Sequence, residues 1–297
     1  MEREVKGKRS MPLFLLLVLS LALGVGTWWL NRSGEKAPSA PQRLETEQRG
    51  EREAAVPLPP PPGPEVSPLR KQKLVVSPPR VAIIIDDLGY NDTNYRPFLE
   101  LRYPLTFAVL PSLPYSGKIA REAQEWGHEV LLHLPLEPHE YPRQNPGKGM
   151  IRCGMTAEEI RLAFREDLRS IPGAVGVSNH MGSRAMEDPE TMKVLMEELK
   201  RRRLYFVDSL TTNRSMASPL AQEAGVPLGK RSVFLDNYRD PAYIERQLRI
   251  LTELARKQGG AIGVGHPYAV TASVLREHLP QLARSGIELV PASHLVH

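Results

Sequence analysis

"RVAIIIDDLGYN", Arg80 to Asn91, runs five apolar residues into two adjacent aspartates and then a glycine. The apolar run reads as a buried strand, and its ending is costly. Side-by-side carboxylates repel each other, and at the rim of an apolar core they lose solvation as well. Such an ending calls for a solvated loop or for a cation.

The pattern recurs downstream. From Arg80 onward, short apolar runs at 81–85, 105–109, 129–133, 174–178, 204–207, 232–235, 261–265 and 287–290 alternate with amphipathic stretches. Thr156 and Glu159 form a capping box ahead of Ile160, Phe164, Leu168 and Ile171 on one stripe. Asp188-Pro189 and Asp240-Pro241 each supply an N-cap with proline in the first turn, and the second helix runs through Ile244, Leu248, Leu251 and Ala255 to stop at Gly259-Gly260. Seven or eight β/α units over residues 80–297 suit an α/β fold, a small or distorted (β/α) barrel. A doubly wound open sheet is the alternative. In both, function gathers where parallel strands end.

Polar, ligand-capable residues follow nearly every run: Asp86-Asp87, Pro111-Ser112, His133, Asn179-His180, Asp208-Ser209, Asp236-Asn237, His266 and Ser293-His294. A divalent metal answers the question the aspartates raise. It would neutralise one carboxylate and take imidazole nitrogens from two other strand ends, leaving a position for water, as in hydrolytic zinc-type sites. Neighbouring side chains on a strand point in opposite directions, so Asp86 and Asp87 need not share one job. Asp236 also reads as part of a loop leading to the Asp240 cap. His128 reads as a surface turn residue, and His294 and His297 as parts of a fraying terminus. Cys153, the sole cysteine, has no disulfide partner.

These residues carry a resemblance. "IIIDD" and "GHEVLLH", with "HLPLEP" (His133–Pro138), "SNHMGS" (Ser178–Ser183), "FVDS" (Phe206–Ser209) and "GVGHPY" (Gly263–Tyr268), resemble the motifs of the divergent branch of the polysaccharide deacetylase (NodB-homology) superfamily. The resemblance spans residues 80–297. It implies a (β/α) barrel and metal-dependent removal of acetyl groups from glycans. It makes Asp86 the general base, Asp87 a metal ligand and His133 the first histidine ligand. The family's second histidine is replaced by Glu137, and Pro135 and Pro138 disfavour a helical turn between His133 and Glu137. His180 is then expected to take the third position, with Glu137 as alternate ligand. His266 matches the late histidine that protonates the leaving group, with Asp208 orienting it. The implied partner is a bacterial envelope glycan such as peptidoglycan, and the implied cofactor a divalent metal, zinc foremost. The alternative is a non-catalytic domain that keeps the fold to bind glycan or another envelope partner.

The N-terminal quarter differs in kind. Residues 1–10 are polar and basic, and 11–30, "MPLFLLLVLSLALGVGTWWL", carry no charge. At ~1.5 Å per residue that run spans about 30 Å, the hydrocarbon thickness. The apolar region exceeds the ~7–15 residues usual for a cleaved signal, and Trp28-Trp29 suit a membrane interface. The expectation is a single-pass signal-anchor in the bacterial inner membrane, with cleaved secretion as the alternative. Lys6, Lys8 and Arg9 would hold residues 1–10 in the cytoplasm and send the rest to the periplasm or outside. Residues 31–79, which include "VPLPPPPGPEVSP", read as a disordered, Pro-rich spacer. The net charge of +5 is spread along the chain, and "KRRR" at 200–203 closes a predicted helix, so nucleic acid is not an expected partner.

Overall fold

The structure, a computed structural model, describes residues 77–297. The 1–10 and 11–30 segments, and the spacer as far as residue 76, lie outside the described residues. Among those described, no helix is long and apolar enough to cross a membrane.

In chain order the first elements are β1 (Arg80–Leu88), α1 (Arg96–Leu99), β2 (Thr106–Val109), α2 (Ser116–Glu125) and β3 (Glu129–Leu136). They are followed by α3 (Ala157–Ser170), β4 (Gly176–Met181), α4 (Pro189–Arg202), β5 (Tyr205–Asp208) and α5 (Ala217–Ala224). The chain closes with β6 (Leu228–Phe234), α6 (Pro241–Gln258), β7 (Gly260–Gly265), α7 (Ala269–Arg284) and β8 (Glu288–Leu289). The expected caps form. Thr156 and Glu159 bond reciprocally, and Asp188 and Asp240 accept from Thr191 N and Tyr243 N.

Strands β1 to β7 pair in sequence, all parallel, and β7 pairs back to β1. The result is a closed seven-stranded (β/α) barrel rather than an open sheet. The eighth expected strand does not join the ring. β8 pairs only with Arg80 and Val81, on the edge of β1 that β2 occupies higher up, from Ile84. The residues after β8 therefore lie at the start of the strands, away from the rim, which corrects the expectation for Ser293-His294.

Side-chain alternation sorts each strand into two sets. Val81, Ile83, Ile85, Phe107, Leu132, Val177 and Phe206 face outward into the main core with the helices. Ala82, Ile84, Ala108, Leu131, Val207, Ile262 and Val264 fill the barrel interior. Val290, Ala292 and Leu295 close its floor. Ser293 N donates to Glu129 Oε1 (3.2 Å), which also accepts from Tyr205 OH (2.7 Å) and Thr106 Oγ1 (3.0 Å). His297 exchanges both backbone hydrogen bonds with Leu228. The segment expected to fray is thus built into the barrel.

His128 and Asp167 are among the buried polar residues that lie off this plan. His128, expected at the surface, is buried and ties the turn before β3 to Leu105 N (3.3 Å) and Leu99 O (3.1 Å). Asp167 on α3 is 2% exposed, and its Oδ2 has no hydrogen-bond partner. It lies against Gly149, whose left-handed backbone (φ +80°) leaves no room for a Cβ beside the carboxylate. Burial, with the charge of Glu166 adding to it, pushes the Asp167 carboxyl up to about 8.

Candidate metal centre

Following the interior register upward leads from the aliphatic filling to the polar mouth: Ala82–Ile84–Asp86 on β1, Leu131–His133 on β3, Gly176–Ser178–His180 on β4 and Ile262–Val264–His266 after β7. Alternation alone would send Asp87 outward, beside Ile85. A register shift between Ile85 and Leu88 in the β1–β2 ladder, with Asp87 in the left-handed region (φ +59°), turns its carboxylate back to the mouth. Both aspartates therefore face one site. This corrects the picture of adjacent side chains that diverge.

Asp87 Oδ1 lies 3.2 Å from His133 Nε2 and 2.9 Å from His180 Nδ1, and those two nitrogens are 3.3 Å apart. These three residues are, among the described residues, the cluster able to hold a metal ion. Donors arranged tetrahedrally around an ion at zinc–ligand distances of ~2.0–2.1 Å stand about 3.3 Å apart, and the observed separations match. The tautomers fit as well: with Nδ1–H of His133 donating to Ser178 Oγ (2.8 Å), its Nε2 presents a lone pair to the centre. The donor set suits a divalent cation.

The two aspartates have opposite electrostatics. Burial raises the pKa of Asp86, against the pull of the nearby histidines, and its Oδ1 has no hydrogen-bond partner. Burial also acts to raise Asp87, but with no ion bound, hydrogen bonds from protonated His133 and His180 outweigh it and hold that carboxyl far below the usual range. Burial opposes charge on His133, yet Asp86 and Asp87 together push its pKa up. Asp86 Oδ2 sits 3.7 Å from His133 Nε2.

Glu137 is not part of this cluster. Its Oε1 pairs with Arg184 Nη1 (2.9 Å) and its Oε2 accepts from Cys153 N (2.8 Å). β3 stays extended through Leu136, so four residues along it span about 13 Å instead of the single turn that would bring His133 and Glu137 together. Only on a helix do residues four apart meet.

His266 Nε2 lies 3.8 Å from Asp87 Oδ2, at the edge of the cluster. The carboxylate that holds its ring is Asp236, not Asp208. Asp236 Oδ1 meets His266 Nδ1 at 2.8 Å, and Oδ2 accepts from His266 N and Thr271 Oγ1, both at 2.7 Å. Burial works against charge on His266, but the bond to Asp236 outweighs it and lifts the imidazole to about 9. Asp208 instead accepts from Leu210 N (2.8 Å) and Ser215 Oγ (2.7 Å), organising the turn after β5. Strand order explains the exchange, because β6 adjoins β7 and β5 does not. The ring of His266 stacks with Phe234 (6.2 Å) and with Tyr268 (5.6 Å), and Arg231 lies over the first ring and Arg239 over the second.

Comparison with known proteins agrees with this architecture. The family model described as divergent polysaccharide deacetylase matches residues 83–296. The Escherichia coli K12 protein YibQ, described as uncharacterized, is 38% identical over 218 residues, 73% of this chain and 67% of its own length. An uncharacterized Haemophilus influenzae protein is 33% identical over 216 residues, 73% of this chain and 76% of its own. The crystal structure of an uncharacterized Agrobacterium tumefaciens C58 protein, ATU2773, superposes with a TM-score of 0.72 at 29% identity, covering 74% of this chain and 90% of the other.

Proposed function

This chain belongs to the divergent polysaccharide deacetylase family, and we propose that it is a divalent-metal-dependent hydrolase that removes acetyl groups from a bacterial envelope glycan such as peptidoglycan. The observation that carries this reading is the convergence of Asp87, His133 and His180 beside the buried, unpartnered Asp86 carboxylate oxygen. The uncharged run at 11–30, flanked by Lys6, Lys8 and Arg9, supports tethering to the inner membrane with the barrel outside.

Asp87, His133 and His180 would hold the cation, zinc foremost. Bound there, it supplies Lewis acidity toward the acyl carbonyl and acidifies water. The remaining steps belong to the side chains. Asp86, its pKa raised by burial, takes a proton from the attacking water. His266, fixed at Nδ1 by Asp236, delivers its Nε2 proton to the departing amine or alcohol. Acetate and the deacetylated sugar are the products. Ser178 sets the ring of His133, and Phe234 and Tyr268 stack with that of His266.

The test is metal analysis of the full chain purified without chelator, with acetate release measured on acetylated glycan. Stoichiometric metal is expected, lost in Asp87→Ala and His133→Ala. Acetate release is expected, lost in Asp86→Asn with metal retained. Absence of metal refutes the reading. Retained metal and glycan binding without acetate release would instead mark a non-catalytic glycan-binding domain.

A further inference from the structure

The two histidines of the cluster are held in different ways. His133 is fixed through its side chain, by Ser178. His180 turns Nδ1 toward Asp87 and His133, and no protein hydrogen bond to its Nε2 is found among the described residues. Beyond its contacts with Asp87 and His133, the aim of its ring rests on the backbone.

That backbone is unusual. Directly after His180, Met181 (φ +53°) and Gly182 (φ +87°) are both left-handed, which a methionine adopts only when its surroundings impose it. A Cβ at Gly182 would also press on Leu136 of β3, so the turn is packed against the neighbouring strand. Asn179, 1% exposed, closes this turn. Its Nδ2 donates to Met181 O (3.0 Å) and to Thr211 Oγ1 (3.3 Å), and its Oδ1 accepts from Ser209 N (2.8 Å). Thr211 Oγ1 donates in turn to Met181 O (3.0 Å). One amide thus joins the end of β4 to the loop after β5, where Leu210 is itself left-handed (φ +51°). By strand alternation Asn179 faces away from His180 and the site, so any effect on the centre is indirect.

We infer that Asn179, with Thr211, is a positioning residue that aims His180 and thereby sets the affinity of the centre. The inference rests on the reading that Asp87, His133 and His180 hold the cation. The chemistry favours an amide: the position needs donors for Met181 O and Thr211 Oγ1 and an acceptor for Ser209 N, which an ionised carboxylate cannot supply together.

The test measures zinc affinity of the full chain by chelator competition, together with the visible spectrum of the cobalt-loaded protein, which reports coordination. Asn179→Asp, which keeps the acceptor and loses the donor, is expected to weaken zinc binding about tenfold or more and to alter the cobalt bands. Thr211 is exposed, so Thr211→Val should fold normally and weaken binding by a smaller factor. Met196→Ala, buried on α4, serves as a destabilised control that leaves affinity and spectrum unchanged. Wild-type affinity and spectrum in Asn179→Asp overturn the inference, as does a loss of affinity in Met196→Ala that tracks stability equally. Wild-type protein that binds no zinc, or His180→Ala that binds it normally, overturns the metal reading and this inference with it.

Discussion

Replacing Asp167 with asparagine should change how stability depends on pH, in a direction that the structure fixes. The carboxylate is buried on α3 with one oxygen unpartnered, and its pKa is raised from 3.8 to about 8. A carboxyl with a raised folded-state pKa contributes stability that is fully present below its unfolded pKa and lost as pH rises through the folded one. Wild-type protein therefore loses stability between about pH 4 and pH 8 from this residue, and Asp167→Asn does not. Each pH unit is worth at most about 1.4 kcal/mol, so the full shift sets a ceiling of roughly 6 kcal/mol. Water entry and local relaxation around a newly charged group reduce that, and a gain of about 2 kcal/mol across the window is the working expectation. The amide has its own packing cost, but that cost is independent of pH. The decisive quantity is thus the slope of the variant-minus-wild-type difference, in which titrations common to both proteins cancel. Urea denaturation followed by far-ultraviolet circular dichroism at pH 4, 5.5, 7 and 8.5 measures it. A difference that stays flat, or that falls with pH, refutes the argument.

Other predictions address the site and the floor. Asp236→Asn should lower acetate release by a hundredfold or more, in keeping with the usual weight of general acid catalysis, whereas Asp208→Asn should leave it within a few-fold; steady-state kinetics with matched metal content would separate them. Glu137→Gln should retain full metal content but lose about 1–3 kcal/mol in denaturation experiments, because Arg184 and Cys153 N lose a charged acceptor. Leu295→Ala should cost about 2–5 kcal/mol, since the side chain fills the barrel floor.

Much of the site was legible because a closed parallel barrel converts sequence position into geometry. Asp86, His133, His180 and His266 all sit on the interior register just past the aliphatic filling, so reading the residue after each run finds them. What escaped was set by features that strand periodicity does not carry. The turning of Asp87 depends on one left-handed residue and a register shift. The choice between Asp208 and Asp236 depends on which strand adjoins β7, and a barrel laid out in sequence order would have pointed to β6. β8 is too short to show from its sequence at which height it pairs. His128 reads as polar in isolation, and only the two backbone groups it satisfies explain its burial.

The floor of the barrel also gives the molecule an order of completion. A chain that emerges N-terminus first delivers all seven ring strands before Val290, Ala292 and Leu295 exist to fill the space beneath them. Until then Ala82, Ile84, Leu131 and Val264 line a hollow open to water, the kind of surface that invites aggregation or a chaperone. The ring depends on Val290, Ala292 and Leu295 to close its interior from below. The backbone of His297 is locked to Leu228, so a segment added directly after it would start from a hydrogen-bonded residue beside β6 and not from a loose end.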